Sequence, residues 1–154
     1  MTGKLLFSAL AVLLSVATGA SAATLSGHGS LFVAFNAGQA QNVDYTTGGA
    51  RSNVVGTQQL IAPVIRNEIS SGSQLFSLHG SHSGFQTSFC TLHSAQADGG
   101  FIASKNMDVL NTAGIWGRTA SMSLAELPPQ GKVSVICTIP GGFSATLAGV
   151  TSTP

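Results

Sequence analysis

Along residues 132–139, apolar and polar side chains alternate. Val133, Val135, Cys137 and Ile139 fall on one side of an extended chain, and Lys132, Ser134 and Thr138 on the other. A period of two among so many β-branched residues predicts a half-buried β-strand, with Ile136 the one residue out of step. Residues 86–93 carry a related pattern: Ser88, Cys90 and Leu92 share one face, and Thr87, Phe89 and Thr91, with Phe85 just before them, the other. Apolar groups on both faces predict a central strand there rather than an edge.

Similar short runs recur from Ser26 onward. Residues 30–35 predict a first strand, closed by the turn residues Asn36-Ala37-Gly38. Residues 39–53 are polar around Gly48-Gly49 and predict a loop with a short strand at 43–46. Leu60, Ile61, Val64, Ile65 and Ile69 recur at helical spacing, but Pro63 would interrupt that helix and the neighbours are β-branched, so residues 60–69 predict a kinked or edge strand. Residues 75–79 predict another strand, and Gly80-Ser81-His82-Ser83-Gly84 a turn that makes a hairpin with the Cys90 strand.

After the turn signal Asp98-Gly99-Gly100, residues 101–107 predict a strand. Residues 115–124 predict a clearer one, with Trp116, Ala120, Met122 and Leu124 on one face and small polar residues on the other. Leu127-Pro128-Pro129-Gln130-Gly131 forces a corner, since neither proline suits a central ladder. Pro140-Gly141-Gly142 turns the chain into a last strand at 143–150. Phe32, Phe35, Phe76, Phe85, Phe89, Phe101, Phe143 and Trp116 are expected to supply core mass.

Short strands separated by Gly and Pro turns predict an all-β fold, an antiparallel β-sandwich of immunoglobulin-like or jelly-roll-like form. The order of strand, Leu-Pro-Pro-x-Gly corner and cysteine strand resembles the E to F corner of immunoglobulin-like domains. Val135 stands where those domains place a tyrosine, so the resemblance implies an architecture and no family. In size, the chain is also similar to single-disulfide pilus subunits of the chaperone-usher type, although residues 149–154 lack their C-terminal aromatic.

Residues 1–22 combine Lys4, an apolar stretch and the small triplet Ala20-Ser21-Ala22, which predicts a secretory signal peptide cut before Ala23. The remaining residues, 23–154, make one all-β domain with no further membrane insertion, destined for an extracellular or periplasmic location. In an oxidising compartment, the only two cysteines form a Cys90–Cys137 disulfide, contributing about 3 to 4 kcal/mol in the chain-entropy model.

Removing Lys4 leaves five basic and five acidic side chains. Neutrality, and the lack of any basic patch, argue against nucleic acid as a partner. With only 7% charged residues, Ser, Thr and Gly dominate the polar surface, which suits a protein or carbohydrate partner at the cell surface, or self-association in a close-packed assembly.

His79, His82 and His93 are the candidate chemistry: a hairpin would bring His79 and His93 onto adjoining strands as nitrogen ligands for a metal or as the centre of a hydrolase. No Gly-x-Ser-x-Gly elbow, paired carboxylates or phosphate-binding loop accompanies them, and no cofactor is expected. The expected function is therefore a secreted binding, adhesion or assembly protein without catalytic activity. The competing functions are a small metal-dependent or hydrolytic enzyme centred on those histidines, and a pilin-like polymerising subunit.

Overall fold

One strand belongs to both layers of the protein. The computed structural model describes residues 23–69 and 71–154, and the predicted signal peptide lies outside the described residues. The strands are β1 (Leu25–His28), β2 (Val33–Ala34), β3 (Val43–Thr46), β4 (Gly49–Ser52), β5 (Thr57–Pro63), β6 (Ser73–Ala95), β7 (Phe101–Asn106), β8 (Val109–Ser123), β9 (Lys132–Pro140) and β10 (Ala145–Thr153). All pairings are antiparallel. The N-terminal part of β6 lies between β8 and β10, and its C-terminal part between β7 and β9.

Two sheets result. The back sheet runs β8–β6–β10, with β1 and β4 side by side on the far edge of β10 and β3 outside β4. The front sheet runs β7–β6–β9–β5–β2. Even-numbered residues of β6, including Phe76, Leu78, Cys90 and Leu92, are buried on either side of the stretch 83–87. They meet Leu60, Trp116, Met122, Val135, Ile139 and Leu147 in one core between the sheets.

The hairpin expected at 75–93 is instead this single strand of 23 residues. Gly80 is in the sequence for close approach: it stands opposite Trp116, and a Cβ there would collide with the indole and with the Thr146 carbonyl. Of the strand expected at 30–35 only 33–34 forms, as β2, and 25–28 precedes it, because residues 29–31 form a 3-10 turn whose N-terminal donor, the Ser30 N–H, is accepted by His28 Nδ1. Residues 43–52 form a hairpin, β3–β4, where a loop with one short strand was expected. Residues 57–63 are a strand ending at Pro63, beyond the two residues to which β2 pairs. The last strand starts two residues later than predicted, after a turn that includes Phe143.

The disulfide joins Cys90 to Cys137, directly opposed on β6 and β9 with Cα atoms 4.1 Å apart. Both face the core and are fully buried.

Candidate functional site

The three histidines do not converge. His79 lies on the outer face of the back sheet, and His93 lies on the outer face of the front sheet, edge-on to Phe101 with ring centroids 6.2 Å apart. Fourteen residues of one strand separate them, about 45 Å of contour at strand rise. His82 points the opposite way, into the core. Among the described residues no three metal-ligating side chains gather.

His82 has a different partner. Its Nδ1 donates to the Thr112 carbonyl at 2.8 Å, which leaves Nε2 to accept from the Ser88 hydroxyl, also at 2.8 Å. The imidazole packs against Trp116, with centroids 5.4 Å apart. A serine bonded to an imidazole has the form of a nucleophile and its base, but Ser88 is 0% and His82 3% exposed. A substrate carbonyl has no route to that hydroxyl. The pair instead spans the stretch where β6 loses and regains register with β8, and holds the bend between the two sheets.

The outer face of the front sheet is the larger chemical feature. One row across it is Phe89, Thr138 and Gln59 on β6, β9 and β5, continued by Phe35, whose N–H donates to the Gln59 carbonyl at 2.9 Å. The next row is Asn106, Thr91, Ile136, Ile61 and Val33, and a third is Ser104, His93, Ser134 and Pro63. None of these residues is charged; Lys132 stands at the margin, opposite Ala95. Phe89 is 57% and Phe35 51% exposed, on strands three spacings apart, about 14 Å. Ile136, out of step with its strand, has its place here.

This corrects the expectation that the phenylalanines are core. Phe32 and Phe76 are buried, whereas Phe35, Phe85, Phe89, Phe101 and Phe143 are all about half exposed or more. Parity along β6 decides the matter for Phe85 and Phe89, because odd positions of that strand face outward. The alternation with Thr87 and Thr91 was the available signal, and hydrophobicity alone masked it. Trp116, by contrast, is core as predicted.

The two-sheet scaffold has counterparts among solved structures. The chain shares the fold of carbohydrate-binding modules. A xylan-binding module of family CBM15 superposes with a TM-score of 0.56 over 86% of this chain and 97% of its own, at 11% identity. The C-terminal CBM6 of LamC, a marine laminarinase from Zobellia galactanivorans, gives 0.52 over 86% and 100%, at 16% identity. The CBM35 of Abf62 from Cellvibrio japonicus gives 0.51 over 86% and 94%, at 15% identity. No protein-family profile matches the sequence, and no curated protein does. The likeness is one of fold.

Proposed function

We propose that the chain is an exported carbohydrate-binding protein without catalytic activity, and that the outer face of the front sheet is its binding surface. The observation that carries this is the row Phe89–Thr138–Gln59–Phe35, with aromatic rings at its two ends and hydrogen-bonding side chains between. Aromatic faces stack on the C–H face of a sugar ring, and polar groups between them bond its hydroxyls, a division of labour usual in ligand sites. An exposed apolar patch of this kind marks an interaction surface. The lack of charge in these rows favours a neutral polysaccharide. The likeness in fold to carbohydrate-binding modules supports the class of ligand, and the disulfide supports an oxidising, extracellular or periplasmic location.

Polymerisation by strand exchange has less support. β10 is paired to β6 along its length and to β4 and β1 on its other side, so no slot for a donated strand stands open along it.

The test is retention on insoluble xylan, cellulose and β-1,3-glucan at low and high salt. Salt-insensitive retention by at least one is expected, with Phe89→Ala and Phe35→Ala each weakening it tenfold or more at unchanged stability. Failure to bind any polysaccharide, or binding indifferent to both substitutions, would overturn the proposal.

A further inference from the structure

The turn joining β9 to β10 holds an aromatic residue in a backbone conformation that disfavours it. Gly142 and Phe143 have φ of 63° and 61°, the left-handed region that glycine enters freely and a bulky side chain does not. The Phe143 N–H donates to the Ser52 carbonyl at 2.9 Å, which ties the turn to β4. Its ring remains 48% exposed, so core packing is not what it gains. Strain of this kind concentrates where a side chain must be presented.

The ring is braced from one side. The Arg51 guanidinium carbon lies 4.6 Å from the Phe143 centroid. Arg51 is itself fixed by Asp44, opposite it on the β3–β4 hairpin, through Nε at 2.8 Å and a second guanidinium nitrogen at 2.6 Å. Asp44, Arg51 and Phe143 thus form a stack with its charge cancelled and one aromatic group left facing solvent.

The stack stands at the edge of a trough on the outer face of the back sheet. Arg51 is in register with Thr146, Ser81 and the 92% exposed Ile115. In the next row, His28 and His79 flank Gly149, and Gly117 lies beyond His79. Gly149 lets β1 come close, since a Cβ there would meet the Gly27 carbonyl, and beside it lies an open depression of about 300 Å³, lined by Ser26, His28, His79, Ala148, Gly149 and Thr151 among others. His28 is a fixed wall, since Nδ1 accepts from the Ser30 N–H and Nε2 donates to the Thr47 carbonyl, both at 3.1 Å. The His79 imidazole lies over Gly117 and bonds to no other described side chain or backbone group.

We propose that this trough is a second carbohydrate site, with Phe143 as its stacking platform and His79, Ser81, Thr146 and Thr151 as its hydroxyl partners. It rests on the function proposed above only for the class of ligand; the residues are separate and face the opposite side of the sandwich. Two sites on opposite faces let one molecule bridge two glycan chains, and a stack with its charge cancelled, beside a depression lined by no acidic side chain, lysine or arginine, selects uncharged sugars.

The experiment titrates the exported chain with xylohexaose, cellohexaose and laminarihexaose by calorimetry. Wild type should bind two hexasaccharides per chain. Phe143→Gly should raise the melting temperature, because glycine fits the turn, and should leave one site; His79→Ala should weaken that same site tenfold or more; Phe89→Ala should remove the other. One site per chain, lost in Phe89→Ala and unaffected by Phe143→Gly and His79→Ala, overturns the second site alone. No binding overturns both readings. A Phe143→Gly variant that is less stable and binds normally shows that the aromatic group serves the fold, and overturns the proposal.

Discussion

Cys90 and Cys137 face each other on neighbouring strands, yet Cys90 directs its backbone hydrogen bonds elsewhere. Its N–H donates to Asp108 and its carbonyl accepts from Met107, both on the far side of β6. Toward β9 it is therefore at a non-hydrogen-bonded position, where opposed side chains come closest. The bridge closes a sequence separation of 47 residues, and replacing both cysteines with alanine is expected to lower stability by about 4 kcal/mol in the chain-entropy model. Urea denaturation of the variant, or of wild type with reductant, checks this; an unchanged midpoint would refute it.

Two glycines of β6, both expected in a turn, should respond oppositely to alanine. At Gly80, a methyl group meets the Trp116 ring and the Thr146 carbonyl, and the variant should lose about 1 to 3 kcal/mol. At Gly84 nothing lies within 4 Å and φ is not in the left-handed region, so alanine should be neutral or add up to about 1 kcal/mol by restricting the unfolded chain. Thermal melts of the pair decide it.

Glu126 gives the protein an acid-sensitive corner. Its carboxyl is drawn down from 4.5 to about 2, first by the Lys105 ammonium, then by the Ser123 N–H and hydroxyl. A lowered folded-state pKa means that its contribution is complete above about 4.5 and fades as pH falls toward 2. Glu126→Gln should flatten that part of the stability profile, as followed by denaturant midpoints from pH 5 to 2. A slope identical to wild type would remove Glu126 as a cause.

Ser88→Ala leaves the His82 Nε2 buried without a donor, which should cost about 1 to 3 kcal/mol. Binding to polysaccharide should persist, since neither residue reaches the surface. Intact stability with lost binding would mean that the pair acts on a ligand and not on the bend.

What could be read from the residues was whatever depends on parity or on counting. The strand at 132–139, the short strand at 43–46, the buried Trp116 and the Cys90–Cys137 pairing all follow from alternation or from there being two cysteines. Gly80 and Gly84 were illegible because glycine serves a turn and a close contact equally well, and only the position of Trp116 distinguishes them. The outward phenylalanines were legible in principle, since Phe85 and Phe89 alternate with Thr87 and Thr91. The strain at Phe143 was not: nothing local requires a positive φ after Gly142. Nor could His79 be set beside Gly149 before the register between β6 and β10 was known.

The pairing of β6 also sets a schedule. β1 and β4 find their partner in β10, β5 finds its own in β9, and β6 needs β8, β9 and β10. Apart from the short β2–β5 and β3–β4 ladders, the first half of the chain has nothing to pair with until the second half arrives. Such late, long-range closure makes folding slow and leaves a long strand unpaired meanwhile. A chain threaded N-terminus first through an export pore would leave β1, and the edge of β6 that faces β10, without partners until β10 cleared it, and would complete its fold only on the far side.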